Sequence, residues 1–313
     1  MNNLPKFSVA MSVYGKDNPA FFREALQSLY NQTVKPNQIY LVVDGTISDN
    51  LENVINDFLP KFDDFTIKRL PTNRGLGNAL KIAVSESKYD LVARMDSDDI
   101  SVPTRFETLL SEYIKDPVDV LGSFTLGFEN NLFNGKYSLS TRPLTHDGIV
   151  KTLSKKSPMS HVSVLFDRNS VLSVGNYIEL KGHEDYYLWA RMIQAGYKFK
   201  NIDKFLVLVR LGKNQAKRHG GKEYFKAEKE LRKYMLENKL ITKREYTKVL
   251  FVRFIYQILL IPSLRNFLSK HFKRKSISKK DALIILKENR VIWKFYIVAE
   301  RIFRKAMQQL IEY

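Results

Sequence analysis

The chain predicts an α/β fold, a mostly parallel sheet flanked by helices and prolonged at its C-terminus by a basic amphipathic helical extension. Three observations carry this. Short β-rich apolar runs alternate with segments of helical apolar spacing through the first hundred residues. Acidic or glycine-containing clusters close several of those runs. The net charge of +18 over 313 residues is unevenly placed, with 23 Lys+Arg against 23 Asp+Glu in residues 1–200 and 28 against 10 in residues 201–313. Strand and helix alternating at this spacing imply right-handed crossovers and therefore parallel neighbours.

The elements follow in order. Residues 7–13 form a first β-rich run after Pro5, and turn chemistry from Tyr14 to Pro19 precedes a helix spaced by Phe22, Ala25, Leu26 and Leu29. A second strand at 38–43 is closed by Asp44-Gly45, a helix covers 51–58, and a third strand covers 65–70. Asn73-Arg74-Gly75-Leu76-Gly77-Asn78 opens a helix over 79–85, and a fourth strand spans 89–94. A helix at 104–114 and a strand at 118–124 follow; 127–157 is polar and without sustained periodicity. Strand character returns at 161–166, helical spacing at 186–195, strand at 207–211, and a flexible basic loop at 212–221.

In open sheets of this kind, ligands bind beyond the carboxyl ends of the strands. Asp44 and the run Asp96-Ser97-Asp98-Asp99 stand at two such ends. Adjacent like charges gain nothing from a strand end by themselves, but a hard divalent cation, Mn²⁺ or Mg²⁺, prefers oxygen ligands and often takes only one or two carboxylates beside phosphates. A solvated acidic loop or a helix cap is the competing reading. Gly75-x-Gly77 before a helix is a phosphate-cradle candidate, against the simpler reading of a tight loop. The full dinucleotide fingerprint and the P-loop pattern are both absent, which excludes neither fold nor nucleotide but removes support for a dehydrogenase or Walker-type ATPase.

The absence of Cys excludes disulfides, thiolate metal sites and a cysteine nucleophile. Residues 1–6 lack a basic and apolar leader, so a cytosolic protein is expected. In 246–261 an apolar run carries Arg253 and Gln257 at i, i+4 and is too short to span a bilayer. From Asp281 onward Lys287, Arg290, Lys294, Arg301 and Lys305 fall on one helical face, with Ile285, Ile292, Phe295, Phe303 and Leu310 broadly on the other. With Lys273-Arg274-Lys275, this reads as an interfacial binder of anionic membrane through 246–313; a helical hairpin packed on the core or on a second subunit of a homodimer is the alternative. No nucleic-acid-binding module is recognised, and none is expected.

Five motifs in order, FSVAMSVYGKD, Gln32-Thr33 with IYLVVDG, NRGLGNAL, ARMDSDD, and HVSVLFDRNSVLSVGNY with GHEDYYLWARMIQAGYKF, resemble the inverting, metal-dependent nucleotide-sugar glycosyltransferases of the GT-A fold. More narrowly they resemble the family-two enzymes of bacterial capsular, O-antigen and amylovoran-type exopolysaccharide synthesis. The resemblance covers roughly 5–221, which gives a GT-A domain at 1–221 (nucleotide half to about 100, acceptor half beyond) and a basic helical tail at 222–313. It implies a nucleoside-diphosphate-sugar donor, uridine-based, and a lipid-linked or growing glycan as acceptor. Tyr14 and Asp44 would lie at the base, Asn73 and Gly75 beside nucleoside and phosphates. Asp96 would face ribose or metal-bound water, Asp98 would hold the metal, and Asp99 would share that role or cap the helix that follows. Arg218 and His219 would close over the diphosphate. Residues 127–157 would face the acceptor, with His161, Glu184 and Trp189 as candidate acceptor contacts, against a satisfied core-edge histidine for His161 and a core residue for Trp189. Asp185 would be the general base, since an inverting transfer with metal at the leaving group needs a single carboxylate. Two acids at a helix start also suit its dipole. The rival readings are a non-catalytic nucleotide- or polyanion-binding protein and a nucleic-acid binder.

Overall fold

The computed structural model describes residues 4–129, 132, 135–212, 220–261 and 275–288. In its first half, β1 (Phe7–Tyr14), α1 (Pro19–Tyr30), β2 (Gln38–Asp44), α2 (Asp49–Phe58), β3 (Phe65–Leu70), α3 (Leu76–Glu86) and β4 (Leu91–Arg94) alternate as expected. The strands lie in the order β3-β2-β1-β4, every neighbouring pair parallel. β2 is buried along its whole length, which explains why it reads as a continuous apolar run: helices cover both faces of a parallel sheet. The turn before α1 is fixed by Asn18, whose side chain accepts from the Ala20 and Phe21 amides, with Pro19 in the first helical turn.

The second half comprises β5 (Ile100–Ser101), α4 (Arg105–Lys115), β6 (Val120–Phe128), β7 (Tyr137–Ser140), α5 (His146–Leu153), β8 (Leu165–Asp167), α6 (Arg168–Ser173), α7 (Glu184–Gln194) and β9 (Phe199–Arg210). β8 runs antiparallel between β4 and β6, β9 pairs β6 in parallel, and β7 takes the other edge of β6. The parallel ladders hold most of the paired residues.

Three local expectations are corrected. The stretch 127–157 is not irregular: it holds β7 and α5, the latter capped by Thr145 Oγ accepting from the Gly148 amide. Both are short enough to escape a periodicity window. His161–Ser163 is a 3₁₀ turn, and strand begins only at Leu165. The strand expected at 207–211 is the end of twelve-residue β9, whose first half carries exposed polar residues and so reads as loop.

Successive residues of β1 point to opposite faces, and two cores result. Val9, Met11 and Val13 pack with α1, α2 and α4, whereas Ala10 packs with α3, α5, α6 and α7. Beyond residue 221, α8 (Lys222–Glu237) sends Ala227, Leu231 and Met235 into the same core as α7. It is also keyed there by a buried polar network. Arg232 Nε donates to Glu228 Oε1 at 2.7 Å, and its Nη1 donates to Ser154 O and to the Tyr186 hydroxyl, both at 3.0 Å. His183 Nε2 and Arg253 Nε lie 3.5 and 3.6 Å from the other Glu228 oxygen.

α9 (Lys243–Phe254) opens with a capping box of Thr242 and Glu245, buries no residue, and leads into one π-helical turn at Ile255–Leu259. β10 (Lys275–Ile277) pairs with β7, and Ala282 of α10 (Lys279–Glu288) packs into the first core. Among the described residues no helix is long and apolar enough to cross a membrane. Lys273, Arg274 and the predicted basic face beyond residue 288 lie outside the described residues.

Candidate active site

Beyond the carboxyl ends of β1, β2 and β4 lies a cleft of about 460 Å³, bordered by Tyr14, Asp17, Asp44, Asn73, Asp98 and Arg210 among others. Tyr14, Asp44 and Asp96 reach it because each ends or follows a parallel strand. Asp44 is nearly buried, and its two carboxylate oxygens accept from the Arg74 amide at 2.7 Å and the Gly75 amide at 3.0 Å. Asn73 Nδ2 donates back to Asp44 O at 3.2 Å. Asp44 therefore shapes the Asn73–Gly75 loop, leaving part of its acceptor capacity for anything in the cleft.

The glycine cradle is corrected. The Gly77 and Asn78 amides at the start of α3 donate to Glu179 Oε2 at 2.9 and 3.3 Å, so the anion at this helix N-terminus is the chain's own carboxylate. Gly75 has φ +89° and a Cβ there would sit 2.6 Å from Glu179 Oε2, so the position is closed to other residues.

At the end of β4, one carboxylate oxygen from each of Asp96, Asp98 and Asp99 lies within 4.8 Å of the others. Their surroundings differ. Asp96 is ion-paired to the buried Arg94 at 2.5 Å. Asp99 is 2% exposed and accepts from the Arg210 amide at 2.9 Å; the N-cap of α4 is Thr104, so Asp99 does not cap that helix. The Asp98 carboxylate makes no hydrogen bond among the described residues. Burial, then Asp96 and Asp17, push its carboxyl up to about 6. Burial, then Asp96 and Asp98, push Asp99 well above the usual carboxylate range. Mutually repelling oxygens with one member left unbonded fit a hard divalent cation such as Mg²⁺ or Mn²⁺.

Asp185 stands in the first turn of α7. Ser157 Oγ donates to its Oδ2 at 3.1 Å. Burial raises its proton affinity, while Ser157, the Tyr186 amide, Arg94 and Arg142 work the other way. Burial raises the proton affinity of the Tyr177 hydroxyl, Arg94 opposes this, and Asp185, Asp96 and Glu184 add to it. Glu184 turns inward, its Oε1 accepting from the Gly182 amide at 2.9 Å, and burial pushes its carboxyl up to about 7. His161 Nε2 lies 2.8 Å from the Tyr177 hydroxyl, and burial followed by Arg94 holds it well below the ordinary imidazole range. Trp189 is fully buried, edge-on to His161 and Phe199, and offers no face to a ligand. Arg218 and His219 lie outside the described residues.

Several residues at the site escape a motif reading. Arg105 is fully buried and donates to Arg94 O at 2.7 Å and Val162 O at 3.0 Å, fixing the chain where the acidic run begins. Arg210 donates through Nε to Asp98 O at 3.1 Å, pairs with Glu24, and stacks 3.9 Å over Phe21. Asp17 accepts from Ser97 Oγ at 2.8 Å. Arg210 ends a strand, so the rule that finds Asp44 and Asp96 also points to it; nothing in the sequence singles out Glu179.

The sequence profile described as Glycosyl transferase family 2 matches residues 8–175. UDP-Gal:alpha-D-GlcNAc-diphosphoundecaprenol beta-1,3-galactosyltransferase of Escherichia coli is 34% identical over 277 residues, covering 88% of this chain and 98% of its own. Amylovoran biosynthesis glycosyltransferase AmsE of Erwinia amylovora is 35% identical over 229 residues, 72% of this chain and 84% of its own. Among solved structures, S. aureus TarS 1-349 in complex with UDP-GlcNAc aligns with a TM-score of 0.59 at 16% identity, covering 80% of this chain and 72% of that one. The chain spans 43% of the longer TarS chain, with a TM-score of 0.58 at 17% identity. At such identity the likeness carries the fold, which is the GT-A arrangement expected from the motifs.

Proposed function

The chain belongs to glycosyl transferase family 2, and from that premise we propose that it transfers a sugar, with inversion, from a UDP-sugar to a hydroxyl of a lipid-linked glycan in surface polysaccharide synthesis. The observation that carries this is the group of carboxylates Asp96, Asp98 and Asp99 at the end of β4, with Asp96 paired to Arg94 and Asp185 within electrostatic reach of that same guanidinium. The relatives support the substrates: the E. coli enzyme is named for UDP-Gal and a diphosphoundecaprenol-linked GlcNAc, and TarS is solved with UDP-GlcNAc.

In this reading Tyr14, Asp44 and the Asn73–Gly75 loop receive the base and nucleoside. Asp98, with Asp96 and Asp99, would hold Mn²⁺ or Mg²⁺, which when bound stabilises negative charge growing on the departing diphosphate. Arg94 keeps Asp96 oriented, and Arg210 braces the Asp98–Asp99 backbone. Asp185 takes the proton of the acceptor hydroxyl as its oxygen bonds the anomeric carbon and the carbon–phosphate oxygen bond breaks. Ser157 holds one Asp185 oxygen in place, and burial strengthens the carboxylate as a base. The tail would hold the enzyme at the inner face of the cell membrane, since the helical segment around α9 exposes Phe251, Val252, Leu259 and Ile261 in a strongly basic region.

The test is a thermal-shift series with nucleoside diphosphates with and without metal, alongside transfer assays. Stabilisation by UDP that requires metal and disappears in Asp98→Asn is expected. Asp185→Asn should lose about 10²–10⁴-fold in transfer rate while keeping the UDP shift. Near-normal turnover in Asp185→Asn would sink the assignment of the base.

A further inference from the structure

Beside Asp185 the chain makes an excursion, residues 141–158, whose cations the reading above leaves without a task. Its two roots are held side by side by Asn201 of β9. Asn201 Nδ2 donates to Pro143 O at 2.8 Å and more weakly to Pro158 O at 3.5 Å, and its amide donates to Leu144 O at 3.0 Å. The first root carries Arg142; the second carries Lys156 next to Ser157, whose hydroxyl reaches Asp185. Both roots therefore border the carboxylate.

Neither cation has an acidic ion-pair partner among the described residues. Arg142 Nη1 reaches only its neighbour's carbonyl, Thr141 O, at 3.2 Å, and its Nε is buried without a hydrogen bond. Nearby backbone acceptors are already claimed: Tyr186 takes Leu153 O, Arg232 takes Ser154 O, and Arg253 takes Lys155 O. Burial opposes the charge on each cation, and Arg142 further opposes that on Lys156. Asp185 favours the Arg142 charge and Arg142 favours the Asp185 carboxylate, but that one carboxylate does not offset the burial of both cations and their mutual repulsion. The arrangement becomes favourable when an anion arrives with the substrate, and phosphate oxygens match a guanidinium and an ammonium well.

We propose that Arg142 and Lys156 form a cationic subsite that takes a phosphate of the acceptor, so that the acceptor sugar is recognised through its phosphate linkage. This deepens the function proposed above and rests on it for the position of the acceptor hydroxyl at Asp185. The acceptor class is then a sugar phosphate or diphosphate on a lipid, and a neutral glycan terminus lacks the group that these side chains read.

The experiment uses the full chain with UDP and metal present. Binding is measured by calorimetry for two probes: N-acetylglucosamine on a soluble short-chain isoprenyl diphosphate, and the neutral octyl glycoside of the same sugar. The wild type should prefer the diphosphate probe, and the double variant Arg142→Gln/Lys156→Gln should lower that preference ten- to hundredfold. Arg142→Lys should restore part of it, and an unchanged UDP-induced thermal shift reports a folded donor site. Equal binding of both probes by the wild type, or an unchanged preference in the double variant, overturns the inference. So does an equal loss of affinity for sugar-free phosphatidylglycerol vesicles, which would assign the cations to lipid headgroups. Transfer is assayed separately: probe discrimination without transfer leaves the subsite standing and removes the proposed function.

Discussion

Replacing Arg232 by Met tests whether the buried network fixes α8 against the start of α7. Arg232 is fully buried, bonded to Glu228, Ser154 O and the Tyr186 hydroxyl, and Met keeps much of its stem volume. The substitution leaves Glu228, 1% exposed, with the longer contacts to His183, Arg253 and Gln257. Breaking a buried pair from one side costs about 3–5 kcal/mol. Unfolding entropy near 2.1 cal/mol/K per residue gives about 0.6 kcal/mol/K for a body of this size, so Tm should fall by about 5–8 °C. Adding Glu228→Gln should recover part of that loss, since the two residues share one interaction. The pH dependence has a definite sign. Burial works against the Glu228 carboxylate, but Arg232 and Arg253 hold it below its usual range. A depressed folded value gives stability that is complete above the unfolded carboxyl value and is lost as pH falls through the folded one. The gap between wild type and Arg232→Met should be full at pH 7 and narrow in acid. Melting curves at several pH values decide it: a fall below about 2 °C at pH 7, or a gap that widens in acid, refutes the reasoning.

Other outcomes follow from the same geometry. With the Asp98 carboxyl near 6 in the metal-free protein, apparent Mn²⁺ affinity should weaken about tenfold between pH 7 and pH 5; a flat affinity across that range, read by metal-induced thermal shifts, contradicts the assignment. Arg210→Met removes a cation that favours the Asp98 carboxylate and should move this transition to higher pH. Gly75→Ala forces a side chain into a φ of +89° and against Glu179, and should cost at least about 1–2 kcal/mol in denaturant unfolding.

The donor half was legible because its signals are local. β1, β2 and β4 are apolar runs buried on both faces, and Asp44 and Asp96 sit where such strands stop. The acceptor half was less legible because its order comes from distant partners. β7 is four residues paired to β6, and β9 is interrupted by exposed Asp203 and Lys204, so neither shows a period. The glycine pair at α3 gave the correct local geometry and the wrong occupant, since Glu179 comes from about a hundred residues away. Trp189 shows the converse: the helical position that reads as core is core, and the acceptor reading falls away.

Glu179 has one further consequence. It lies five residues before Glu184, which opens α7, and its carboxylate is tied to the first turn of α3, whose leading loop is bracketed by Asp44. One carboxylate is thus the junction between the loop that borders the cleft and the chain that leads into the helix carrying Asp185.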